Sequence, residues 1–202
     1  MTILYCIMKN AIIFHGSSET PNSFWYPSIK KFLETQGYEV WVPQLPKPEA
    51  PDLRIHLPFV MKNATFSNET VIIGHSSGCP LVLSVLENIN VKIDKAILVS
   101  GYARILQKMD EPSLKKEEKD ALPILQEKYD WDKIRGNARD MIFINSDNDP
   151  WGCDDKEGDY MFRHLGGTFI IRHGEGHMGT NTFNQPYKEF PFLEKLLSVA
   201  KV

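Results

Sequence analysis

Gly74-His75-Ser76-Ser77-Gly78 sets a serine midway between two glycines, directly after the apolar run Val71-Ile72-Ile73 and directly before a segment of helical character. A strand turning sharply into a helix here would lift the Ser76 hydroxyl clear of a sheet in a strained backbone conformation. Side chains at Gly74 and Gly78 would strike the neighbouring elements, and glycine removes them. A helix starting near Ser77 aims N–H groups and partial positive charge at an oxyanion formed beside Ser76. A glycine-bounded turn with a capping serine would use the same residues, so the chemistry must be sought in partners further along the chain.

A serine hydroxyl is a weak nucleophile near neutrality and needs a base, itself oriented by a carboxylate. The polar turn Asn145 to Trp151 offers Asp147 and Asp149. Pro150 biases Asp149 towards extended geometry that projects its carboxylate, whereas Asp147 is expected to bond nearby N–H groups. The later turn Arg172 to Gly179 offers His173 and His177. Glycines around His177 leave a side-chain-poor loop in which an imidazole can reach across, while His173, at a strand end, is expected to be packed or hydrogen-bonded. The order serine, aspartate, histidine therefore points to Ser76 as nucleophile, His177 as general base and Asp149 as its orienting carboxylate.

An oxyanion needs two donors. The Ser77 amide is one; the other is expected from His15-Gly16-Ser17, with the Ser17 N–H preferred, Gly16 as the nearby alternative and His15 buttressing the loop. His15, Trp25 and Trp151 are candidates for the walls of a substrate pocket, although aromatics so placed also serve as core. Cys79 is expected to be a small buried filler. His56, His75 and His164 show no ligand-like spacing, so no metal or cofactor is expected.

These groups need elements to carry them. Six short apolar runs, Asn10 to His15, Tyr38 to Val42, Thr70 to Gly74, Lys95 to Ser100, Asp140 to Asn145 and Thr168 to Arg172, read as strands buried on both faces. Helices are expected at Ser23 to Thr35, Leu53 to Lys62, Ser77 to Glu87, Lys156 to His164 and Tyr187 to Ala200. The fold class is α/β, a three-layer α/β/α sandwich around a mostly parallel six-stranded sheet. Residues 9–202 are read as one domain, with 1–8 an N-terminal extension. The stretch 102–137, which holds the charged run Lys115 to Asp120, is either a lid or a solvated surface excursion.

Composition sets the outer limits. In 202 residues, 42% are hydrophobic and 24% charged, as in an ordinary globular domain with a packed core. A formal charge of -3, with Lys and Arg scattered, argues against nucleic-acid binding. Three cysteines without C-x-x-C spacing suit a reducing compartment, and the cytoplasm is the expected location. Residues 1–8 lack a basic n-region and a cleavage site, and no run approaches the roughly 20 apolar residues of a membrane helix.

With Phe14-His15-Gly16, Asn22 to Tyr26, Gly74-His75-Ser76-Ser77-Gly78-Cys79-Pro80, Asp149-Pro150 and Gly176-His177 in this order, the chain resembles the YdeN-like and retinoblastoma-binding-protein-nine-like family of small serine hydrolases from about Lys9 to the C-terminus. The resemblance implies a trimmed α/β-hydrolase fold, a sheet in the order 2-1-3-4-5-6, and a triad on Ser76, Asp149 and His177. It also implies an esterase-like or amidase-like activity. Trp151-Gly152-Cys153-Asp154-Asp155 departs from the apolar-Pro ending common after the acid, which bears on pocket shape. The expected substrate is a small carboxylic ester, thioester or amide, cleaved through an acyl-enzyme. The alternative is a protein-interaction module that retains the triad, since the family name records a protein partner although no sequence feature indicates one.

Overall fold

The computed structural model describes residues 9–106 and 122–198. Strands β1 (Asn10–Phe14), β2 (Glu39–Trp41), β3 (Val71–His75), β4 (Ile93–Val99), β5 (Ala138–Ser146) and β6 (Thr168–Arg172) form one all-parallel sheet in the order β2-β1-β3-β4-β5-β6. These are the six apolar runs with their ends moved by at most two residues. The helices are α1 (Tyr26–Thr35), α2 (Leu53–Asn63), α3 (Gly78–Asn88), α4 (Trp131–Gly136), α5 (Asp155–Leu165) and α6 (Pro191–Ser198).

The period-2 alternation of the strands divides the core in two. Ile12, Phe14, Ile72, Leu98 and Phe143 face α2, α3, α4 and α5; Ala11, Ile13, Ile73, Val99 and Ile144 face α1 and α6. Every residue of α3 from Gly78 to Leu86 is buried. At about 1.5–3 kcal/mol for each large apolar side chain removed from water, α3 is the most firmly seated helix of the sandwich.

Beyond one-residue shifts, two helix starts and one additional helix differ from the sequence reading. Helix α1 starts at Tyr26 rather than Ser23, because Phe24 has a left-handed φ of 46° and Pro27 favours a first helical turn. Helix α6 starts at Pro191 rather than Tyr187, where φ is again positive at 36°. Helix α4 was not expected; Asp130 caps it by accepting from the Lys133 N–H, in the same way that Asp52 and Asp154 cap α2 and α5. Of the stretch 102–137, Tyr102, Leu106, Ile124, Tyr129 and Ile134 are buried in the α3 face of the core. The charged run Lys115 to Asp120 and the extension 1–8 lie outside the described residues, and among those described no helix is long and apolar enough to cross a membrane.

The strand order fixes where a site can form. The chain leaves β1 towards β2 on one side and β3 towards β4 on the other, so their following loops diverge and open a crevice above the strand ends. Gly16 lies on the first of these loops and Ser76 on the second.

Candidate active site

Ser76 directly follows β3 with φ of 52°, and from Val71 to Pro80 it is the one residue that is not buried. A Cβ on Gly74 would lie 2.8 Å from both the Gly78 carbonyl oxygen and Val82 Cγ2; one on Gly78 would lie 2.9 Å from the Phe14 carbonyl carbon and 3.1 Å from the His15 carbonyl oxygen. The two glycines therefore let β1, β3 and α3 close together, and the left-handed turn lifts the serine out of that contact. Its backbone is pinned, the Ser76 N–H donating to Val99 O at 3.0 Å and its carbonyl accepting from the Cys79 N–H at 2.9 Å.

Beyond β5 and β6, Asp149 Oδ2 and His177 Nδ1 are 2.7 Å apart, and both residues are buried. The Trp151 N–H donates to the other carboxylate oxygen at 2.8 Å, which fixes the plane of Asp149. With Nδ1–H given to the aspartate, Nε2 of a neutral His177 is an acceptor for a hydroxyl proton. Asp147 instead accepts from the Gly174 N–H at 2.9 Å and pairs with His173 at 2.5 Å; those bonds hold its carboxyl below the usual range. His173 lies past the end of β6 and is exposed, so it is hydrogen-bonded but not packed.

The loop carrying His177 is held by side chains from other elements. The N–H groups of Gly174, Glu175, Gly176 and His177 donate to Asp147, Ser146 Oγ, Asn148 Oδ1 and Gln185 Oε1. The His177 carbonyl receives Ser100 Oγ at 2.9 Å and His75 Nε2 at 3.0 Å, and the Met178 carbonyl receives Trp25 Nε1 at 2.9 Å. Ser100 and Met178 are, like Ser76, left-handed non-glycine residues, with φ of 48° and 50°. Such strain persists only where surrounding contacts over-determine it.

Of the oxyanion candidates, the Ser17 and Ser77 amides have no hydrogen-bond acceptor among the described residues. The Gly16 amide is spent on Glu19 Oε2 at 2.7 Å, which removes it as the alternative donor. His15 is not a pocket wall: it is buried, its Nδ1 bonds Gly16 O at 2.8 Å, and Nε2 accepts from the Leu45 N–H at 3.1 Å. Burial holds its pKa below the usual histidine value, consistent with this neutral buttressing role. Trp25 is not a wall either, being fully buried against Tyr26, His75 and Phe190. Trp151 does flank the site, its ring centre 6.4 Å from that of His177.

Sequence reasoning passed over two groups. Phe183, half-exposed, stands edge-on to Trp151 at 5.1 Å and extends the aromatic rim. Glu19 is a buried carboxylate whose Oε2 meets the Gly16 N–H and the Tyr26 hydroxyl, and lies 3.4 Å from His75 Nδ1. Its signal was the glycine three residues earlier, since a Cβ on Gly16 would lie 2.9 Å from Glu19 Oε1. Cys153 brings its sulfur within 4.8 Å of the Asp149 and His177 ligand atoms, a juxtaposition of metal-binding residue types invisible in their spacing. Burial pushes the Cys153 thiol well up, and the 2.7 Å Asp149–His177 bond already occupies Nδ1, so an ion there would have to displace two protons and part that pair.

Residues 11–198 match the serine hydrolase family. YdeN of Bacillus subtilis is 29% identical over 147 residues, covering 70% of this chain and 71% of YdeN, and serine hydrolase RBBP9 of Rattus norvegicus is 28% identical over 138 residues, covering 68% and 69%. The crystal structure of the B. subtilis ydeN product superposes with a TM-score of 0.81 at 23% identity, over 94% of this chain and 97% of that one. A trimmed, all-parallel α/β-hydrolase sheet and a match that runs nearly its whole length place the chain in the serine hydrolase family.

Proposed function

We propose that the protein hydrolyses a small carboxylic ester through an acyl-enzyme on Ser76, with thioesters and amides open to the same chemistry. Ser76 Oγ attacks the carbonyl carbon while His177 Nε2 takes its proton, and the Ser17 and Ser77 amides receive the developing oxyanion. Collapse breaks the bond to the leaving group, which departs with the proton from His177; a water molecule then repeats the sequence and frees the acid. An ester is the preferred substrate because its alkoxide leaves more readily than an amine, which must be protonated as it goes. The aromatic rim of Trp151 and Phe183 suits a flat or apolar leaving group over a short acyl chain.

The observation that carries this reading is the buried 2.7 Å Asp149–His177 pair above the strand ends, whose imidazole lies 5.0 Å from the ring of His75, the residue before a serine raised on a left-handed turn. Buried, unpaired Cys79 and Cys153 support a cytoplasmic, reducing setting. The test is fluorophosphonate labelling with peptide mapping. Label on Ser76 that vanishes in Ser76→Ala is the expected result. A folded wild type that takes no label would refute the reading in favour of an interaction module.

A further inference from the structure

Behind the triad lies a buried charge the proposed chemistry does not use. The Tyr26 hydroxyl donates to Glu19 Oε2 and lies 2.6 Å from His75 Nδ1. With Glu19 ionised, Tyr26 gives its one proton to the carboxylate, and His75 Nδ1 then itself carries the proton in that 2.6 Å contact. On the other side of the ring, Nε2 lies 3.0 Å from the His177 carbonyl oxygen, which only accepts, so Nε2 is protonated as well. Proton counting therefore makes His75 an imidazolium opposite a Glu19 carboxylate, both buried. Burial opposes charge on each, but mutual attraction and the surrounding bonds outweigh it, raising the pKa of His75 and lowering that of Glu19. The other titratable groups facing His75 are Tyr26, His177 and, behind it, Asp149; His15 on the neighbouring strand end is neutral.

We infer that Glu19, Tyr26 and His75 are positioning residues that lock the two halves of the site to one another. The inference rests on the proposed roles of His177 and the oxyanion loop. From one end, His75 Nε2–H holds the carbonyl of His177 and so places the base. From the other, Glu19 holds the Gly16 N–H, and the adjacent Ser17 amide has no acceptor among the described residues. His75 precedes the nucleophile directly, so one buried pair sets base, nucleophile and oxyanion donor relative to each other. A charged donor and acceptor suit this task because charge-assisted bonds are shorter and stiffer than neutral ones.

The experiment compares wild type, Glu19→Gln and Tyr26→Phe in the full chain by ¹⁵N NMR of the histidine rings and by the rate of fluorophosphonate labelling at Ser76. In wild type at pH 7.5, His75 should carry protons on both ring nitrogens; in Glu19→Gln it should carry one. Labelling should slow about 10- to 100-fold in Glu19→Gln, the rate equivalent of one charge-assisted hydrogen bond. It should slow less in Tyr26→Phe, where the carboxylate still stands 3.4 Å from Nδ1. A singly protonated His75 in wild type overturns the inference, as do equal labelling rates in folded variants. Should Glu19→Gln not fold, the wild-type proton count and Tyr26→Phe decide. A wild type that takes no label defeats the triad reading instead, a result separate from the ring-proton count.

Discussion

The inner wall of the site and its outer rim are built on opposite terms. Inside, Asp149, His177, His75, Tyr26 and Glu19 are buried, and each side chain is tied to another buried group by at least one hydrogen bond. Outside, Trp151 is half-buried and Phe183 half-exposed, joined by an edge-on ring contact and, for Trp151, one bond from Nε1 to Thr180 Oγ1 at 3.2 Å. Buried polar groups tolerate no vacancy, whereas an aromatic rim can be trimmed and still close over something. The inner wall should accordingly govern kcat, and the rim the choice and affinity of substrate.

The largest expected effect is on the inner side. With p-nitrophenyl acetate as substrate, Ser76→Ala should lower kcat by about a millionfold. Asp149→Asn, which preserves shape but permits the wrong His177 tautomer, should lower kcat by about 10⁴-fold with little change in KM. On the rim, Trp151→Ala and Phe183→Ala should raise KM for an aromatic ester by about 2- to 12-fold each, the worth of an aromatic pair, and leave kcat for the acetate nearly unchanged. If a rim substitution cut kcat as deeply as Asp149→Asn, the division between wall and rim would collapse.

A smaller effect concerns the buried pair. Glu19 has a lowered pKa, so its stabilisation is present above about pH 4.5 and is lost as pH falls through the folded value; His75 has a raised one, so its contribution is full below about pH 6.5 and is lost as pH rises. The pair thus contributes most between about pH 4.5 and 6.5. The Tm of wild type minus that of Glu19→Gln should peak in this window, by a few degrees, in thermal melts across pH 4–9. A difference that is flat with pH would mean that the pair is not ionised.

The fold was legible because a parallel sheet covered on both faces writes each strand as a plain apolar run, as Val71-Ile72-Ile73 does. The candidate site was written in a similar way: Ser76, Asp149 and His177 each follow a strand, in a turn that also carries glycine or proline. Helix α4 was not, since six residues, half of them charged, give no periodicity and only the Asp130 cap marks it. Trp25 and His15 were misjudged as pocket walls because proximity in sequence to Gly16 says nothing of side-chain direction. Trp25 points under the His177 loop and His15 back into the β1 turn. Glu19 was hidden because its partner His75 lies 56 residues away and pairs with it only once β1 and β3 are side by side.

The loop that carries His177 borrows its hydrogen bonds from side chains scattered over the chain, with no strand ladder of its own. It is consequently a reporter on the whole fold: loosening any of several distant elements should release His177 before the sheet itself opens. In a denaturant titration, esterase activity should vanish at a lower concentration than helical circular dichroism, and the amides of Gly176 and His177 should exchange with solvent sooner than those of β3. The enzyme would then lose its catalytic competence by local opening well before it lost its shape.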